Sequence, residues 1–110
     1  MELKDLQKRA MEIRQKYAEL EQKKYGKTWT NLDQVSGFVV DVGQLQKIAM
    51  AKEGVRDLEN VDEKLAHELA DCLYSVLVIA SRYGVDIEES FVGAMDQLEN
   101  KIMGSELHLL

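Results

Sequence analysis

Four polar side chains interrupt the two most apolar stretches of this chain, and their spacing suits the binding of a hard cation. Asp71 lies inside Leu69-Ala70-Asp71-Cys72-Leu73-Tyr74-Ser75-Val76-Leu77-Val78-Ile79-Ala80, with Glu68 three residues before it. Asp41 lies inside Gly37-Phe38-Val39-Val40-Asp41-Val42-Gly43-Gln44-Leu45, with Gln44 three residues after it. Residues three apart share a helix face. Two facing helices therefore bring Asp41, Gln44, Glu68 and Asp71 to one place, an oxygen-rich cluster inside an otherwise apolar bundle. An ionised carboxylate withdrawn from water needs a partner charge, hydrogen bonds or a metal ion. Carboxylate and amide oxygens select Mg²⁺ or Mn²⁺. The alternative is that these side chains pair with lysines or backbone groups, or face solvent. His67 adjoins Glu68 and so points about 100° away around a helix, and no histidine has the spacing used by carboxylate di-iron bundles.

The elements that must position this cluster are four helices. Leu3, Leu6, Ala10, Ile13, Tyr17 and Leu20 recur at spacings of three and four, predicting a helix over roughly 2–24 that ends before Gly26. Thr30 or Asn31 caps a second helix over roughly 31–52, closed by Gly54. Asn60 and Glu63 have capping-box spacing for a third helix over about 61–83, stopped by Gly84. Asp86 and Glu89 repeat that spacing for a fourth over about 87–103, with Phe91, Met95, Leu98 and Ile102 apolar; the tail from Gly104 to Leu110 is unassigned. The expected architecture is an all-α four-helix bundle, a single domain over 1–110. The third helix carries Leu65, Leu69, Cys72, Val76 and Ile79 on one stripe, widened by Leu73, Leu77 and Ala80. Such breadth exceeds what one neighbour covers, so a homodimer or tetramer is expected to complete the bundle.

Composition excludes several classes. The absence of proline, with only seven glycines, disfavours a turn-rich β-fold. A net charge of −6 argues against binding nucleic-acid polymers or anionic membranes through a basic surface, and makes a bridging cation necessary for a polyanionic ligand. The lone cysteine, Cys72, allows no intramolecular disulfide and fits a reducing compartment. No run reaches transmembrane length, and the residues from Met1 to Asp5 lack the apolar core of a signal peptide. A cytoplasmic protein is expected.

Other candidates are single residues. Lys47 and Lys52, on or just past the second helix, are placed to meet phosphates, or are solubility residues. Trp29, the only tryptophan, either stacks on a nucleobase or pins its loop onto the bundle. Cys72 and Ser75 have no base near them in sequence, which argues against a nucleophile.

The residues Asp41-Val42-Gly43-Gln44-Leu45, Glu68-Leu69-Ala70-Asp71-Cys72-Leu73-Tyr74 and Tyr83-Gly84-Val85-Asp86-Ile87-Glu88-Glu89-Ser90-Phe91 resemble the MazG-like nucleotide pyrophosphohydrolases over roughly 31–102. That family carries Glu-Glu-x-x-Glu on one helix and Glu-x-x-Asp on the next. Here the second motif is intact, but Val40 and Asp41 stand at the paired glutamates and Gln44 at the third. The resemblance implies Mg²⁺ held on a nucleoside triphosphate, with Mn²⁺ as a substitute, and hydrolysis to the monophosphate and pyrophosphate. It casts Glu68 and Asp71 as catalytic residues and metal ligands, Asp41 as a shorter-armed ligand and Gln44 as a neutral one. Asn100 and Lys101 stand at polar positions that members use around the substrate. The alternative is a weakened or inactive descendant, a helical dimer that binds a nucleotide or another protein.

Overall fold

Periodic apolar residues and three glycines with left-handed backbone divide the chain into four helices: α1 (Leu3–Tyr25), α2 (Asn31–Lys52), α3 (Val61–Arg82) and α4 (Ile87–Leu109). The computed structural model describes residues 1–109, and side chains through residue 105. Gly26, Gly54 and Gly84 follow α1, α2 and α3 with φ of 73°, 80° and 69°, a region that side-chain-bearing residues rarely adopt. Thr30 closes a reciprocal cap on α2: its Oγ1 accepts from Asp33 N–H at 3.1 Å, and its own N–H donates to Asp33 Oδ2 at 2.9 Å. Asp86 Oδ1 accepts from Glu89 N–H at the start of α4.

Two local expectations change. Asn60 does not cap α3 through its side chain; it takes φ 55°, ψ 44° and makes no side-chain cap bond. The chain reverses between α2 and α3 over residues 53–60, and asparagine tolerates the left-handed conformation it takes at the start of α3. The fourth helix runs through Leu109, beyond the expected end near residue 103. Gly104 lies within it; a single glycine costs only about 1 kcal/mol in a helix interior. Leu110 lies outside the described residues.

α2 and α3 form an antiparallel hairpin cross-linked along its length. Arg82 Nη1 donates to Asn31 Oδ1 at 2.9 Å at one end, Ser75 Oγ to Asp41 Oδ2 at 3.0 Å in the middle, and Lys52 Nζ to Asp62 Oδ1 at 2.6 Å at the other end. α1 packs across α3. Ala10, Leu77 and Val78 are buried together, flanked by Leu3, Leu6, Met11, Tyr74 and Ile87. Gln7 Nε2 donates to Ser81 Oγ at 2.8 Å across that junction.

α4 stands away from the rest, with α1 as its main partner. The radius of gyration is 18.0 Å, against about 13 Å for a compact chain of this length. Phe91, Val92, Met95, Leu98, Ile102 and Met103 along α4 are exposed, as are Leu32, Val39 and Val42 on α2 and Leu69 and Leu73 on α3. No helix among the described residues is long and apolar enough to cross a membrane.

Candidate active site

The register of the hairpin decides where the four polar residues point. Asp41, Glu68 and Asp71 are half-buried and Gln44 is exposed. Leu69, Leu73, Val39 and Val42, their neighbours in sequence, face outward. The cluster therefore lines a groove on the inner side of the hairpin, and is not enclosed by apolar walls as the sequence suggests. Apolar neighbours one residue along a helix point elsewhere around it, so they reveal nothing about the side chain's own surroundings.

Glu68 carries a perturbed carboxyl. Burial raises its pKa above the ordinary 4.5, and the nearby charges of Asp41 and Asp71 raise it further. Its Oε1 is buried and has no hydrogen-bond partner. Asp41 has one oxygen tied to Ser75, and Asp71 Oδ2 lies 3.2 Å from Nε2 of the exposed His67. Among the described residues, no group of three or more histidine, cysteine, aspartate or glutamate side chains converges closely enough to hold a metal ion alone.

Two cavities flank this acidic centre. Beyond Glu68 and Gln44 lies a space of about 610 Å³ of mixed charge, lined by Lys47, Arg56 and Lys64 as well as Asp57, Glu63 and Glu68, with His67 beside them. Toward the start of α2, a 310 Å³ cavity is bounded by Trp29, Gln34, Gly37, Asp41, Asp71 and Tyr74. The groove thus passes from an aromatic, polar end through an acidic middle to an end of mixed charge that presents Lys47, Arg56 and Lys64. From Gly37 to Ile48 it follows α2 for about 16 Å at 1.5 Å per residue.

The aromatic end is built by α1. Arg14 is 6% exposed and reaches Glu21 through both terminal nitrogens, Nη1 donating to Oε2 at 3.0 Å. Glu21 Oε1 also accepts from Trp29 N–H at 3.1 Å, and the Arg14 guanidinium lies 5.6 Å from the centre of the indole. The hydrogen bonds from Arg14 hold the Glu21 carboxyl below its usual pKa. The edge of the indole rests on Gly37, where a Cβ would come within 2.6 Å of Trp29 Cζ3. Trp29 thus pins its loop to the bundle while 44% exposed and facing the cavity. Burial raises the pKa of Tyr74 on the opposite wall.

The other sequence candidates divide. Lys47 lines the 610 Å³ cavity beside Glu68 and Gln44. Lys52 is ion-paired with Asp62 at the far end of the hairpin and lines neither groove cavity. Asn100 and Lys101 are exposed on α4, whose main partner is α1, so one chain does not bring them to the groove. The sequence does not single out Arg14, Gln34 or Tyr74, and Ser75, unsuited to a nucleophile, instead hydrogen-bonds Asp41. Gln34 shares the face of Gly37, Asp41 and Gln44 through spacings of three and four, and Arg14 interrupts the stripe formed by Ala10 and Tyr17, so both left a signal. Tyr74 left none.

The MazG nucleotide pyrophosphohydrolase domain matches residues 46–102, which is 57 of the 110 residues and includes Glu68 and Asp71. No curated protein and no solved structure compared with the chain gives a match.

Proposed function

Because this chain belongs to the MazG nucleotide pyrophosphohydrolase family, we propose that it hydrolyses a nucleoside triphosphate to the monophosphate and pyrophosphate in a Mg²⁺-dependent reaction at the α2–α3 groove. The observation that carries this reading is the unpartnered Glu68 Oε1, buried in a groove with two further carboxylates and beside a cavity that presents Lys47, Arg56 and Lys64. An unsatisfied buried oxygen beside like charges calls for a cation. Mg²⁺ keeps several waters and needs few protein oxygens, so this donor set suits a hydrated ion better than a closed cage. Glu68 and Asp71 would hold it, with Asp41 and the Gln44 carbonyl oxygen as weaker donors. When bound, the ion neutralises phosphate charge and acidifies a water molecule; Mn²⁺ can take its place.

The chain's own residues do the rest. Lys47, Arg56 and Lys64 draw the phosphate tail into the 610 Å³ cavity, and the Trp29 cavity takes the nucleoside. Water attacks the α-phosphorus as the bond to the bridging oxygen breaks and pyrophosphate leaves. Glu68 accepts the proton released from that water.

The exposed apolar faces of α2, α3 and α4 support self-association. Patches of this extent are unusual on a monomer, and a second copy would bring another α4 toward the groove, carrying Asn100 and Lys101. A dimer or tetramer in the cytoplasm is the form in which we expect activity.

A second reading, a weakened or non-catalytic nucleotide-binding descendant, draws on Val40, which is 62% exposed, and on the neutral Gln44. Pyrophosphate release from a panel of nucleoside triphosphates with Mg²⁺ or Mn²⁺ separates the two. Turnover lost in Glu68→Ala supports the enzyme; folded protein with no turnover on any substrate supports the descendant.

A further inference from the structure

His67 points about 100° away from Glu68 around α3, yet Asp71 falls between them, about 40° from the histidine and about 60° from the glutamate. The three side chains therefore fan over one turn of a single helix. His67 Nε2 and Asp71 Oδ2 lie 3.2 Å apart, longer than the roughly 2.7–2.9 Å of a charge-assisted hydrogen bond. Two ligands held about 2.1 Å from one cation lie about 3.0 Å apart at a right angle and about 3.4 Å apart at the tetrahedral angle. The pair already stands at the separation of neighbouring ligands.

Its surroundings suit a cation better than an ion pair. His67 is exposed and Asp71 half-buried, so their mutual attraction adds little to stability while both stay accessible from the groove. Glu68, whose Oε1 is buried without a partner, lines the same 610 Å³ cavity as His67. On the α2 side, Val40 supplies no donor and Gln44 only a neutral one. The oxygen donors are thus thinned on α2, and a nitrogen donor stands beside those of α3. Mg²⁺ takes oxygen ligands, whereas an imidazole favours borderline cations, with affinity rising from Mn²⁺ to Co²⁺.

We propose that His67, Asp71 and Glu68 form a mixed nitrogen–oxygen site that takes a divalent transition cation such as Co²⁺ in preference to Mg²⁺, with His67 as a direct ligand. Among the described residues no three such donors already converge on one point. His67 and Asp71 are the preformed pair, Glu68 joins them by turning its side chain, and water or phosphate oxygens fill the remaining positions. The assignment rests on the metal-dependent reading of the groove and names the class of cation that the groove prefers.

Calorimetric titration of Co²⁺ and Mg²⁺ into wild type and His67→Leu reads the preference without turnover. His67 is exposed, so the variant should keep native helicity. Wild type should bind Co²⁺ with Kd on the order of tenfold or more below that for Mg²⁺. His67→Leu should weaken Co²⁺ on the order of tenfold or more, as loss of even an outer-shell partner does, and should change Mg²⁺, an oxygen-binding ion, by less than about twofold. Electron spin-echo spectra of Mn²⁺-loaded wild type should show coupling to an imidazole nitrogen, and the variant should lose it. No Co²⁺ binding, equal weakening of both cations in the variant, or a nitrogen coupling absent from wild type or surviving the substitution would overturn the proposal. Mg²⁺-dependent pyrophosphate release by protein that shows no nitrogen coupling sinks only this inference, whereas His67-dependent Co²⁺ binding without turnover of any nucleotide sinks only the enzymatic reading.

Discussion

Ser75 Oγ donates to Asp41 Oδ2 at 3.0 Å, joining a buried hydroxyl on α3 to the carboxylate of α2 that faces the groove. The bond fixes the Asp41 rotamer and occupies one of its oxygens. It also locks the register that sets α2 and α3 side by side at the acidic centre. Ser75→Ala is expected to reduce stability by about 1 kcal/mol, the usual net value of such a bond, and to weaken Mg²⁺ binding severalfold. Urea unfolding and calorimetric titration measure the two effects separately; an unchanged Mg²⁺ affinity would remove Asp41 from the ligand set.

Glu68→Gln preserves shape and removes a charge that burial and two neighbouring carboxylates oppose. Without metal, the variant should melt at or above the wild-type temperature. With Mg²⁺, wild type should gain stability by mass action and the variant should not. Pyrophosphate release should fall by on the order of 100-fold or more, as for other groups acting directly on the reacting centre. A variant that melts lower without metal and remains active would contradict both roles given to Glu68.

Gln44→Glu adds a carboxylate beside Glu68 on the wall of the 610 Å³ cavity. We expect tighter Mg²⁺ and Mn²⁺ binding and turnover raised about tenfold, since charge count tunes affinity at oxygen sites. The unliganded variant should be less stable because a further like charge joins the cluster. Loss of activity would show that a neutral oxygen is required at this position.

Acid should unfasten the aromatic end first. Arg14 holds the Glu21 carboxyl below its ordinary value of 4.5. For a depressed carboxyl, the linked stability is fully present above the unfolded value and is lost as pH falls through the folded one. Unfolding free energy should therefore decline as pH drops below about 4.5, with a shift in Trp29 emission as the loop loosens. Glu21→Gln should be less stable at pH 7 and should show a shallower decline over that window.

Sedimentation should find a particle of at least twice the 12.5 kDa chain mass. Phe91→Asp or Leu98→Glu, on the exposed face of α4, should shift it toward the monomer and lower activity. A wild-type monomer with full turnover would show that one chain completes the site.

The sequence by itself determined the helices, their breaks and the identity of the acidic pairs, because each depends on interactions within one turn. Apolar spacing gave the amphipathic faces, glycines at positive φ gave the stops, and spacings of three placed Asp41 with Gln44 and Glu68 with Asp71. Asn60 was misread because its spacing to Glu63 fits a cap as well as it fits a left-handed reversal, and only the path of the chain chooses between them. The tertiary structure alone decided what lies across the groove. Arg14, Gln34, Tyr74 and Ser75 come from three helices and meet through packing between residues distant in sequence, which no local periodicity encodes. It also turned the acids toward a half-open groove and their apolar neighbours outward, because successive residues on a helix point about 100° apart and the hairpin register selects which of them faces in.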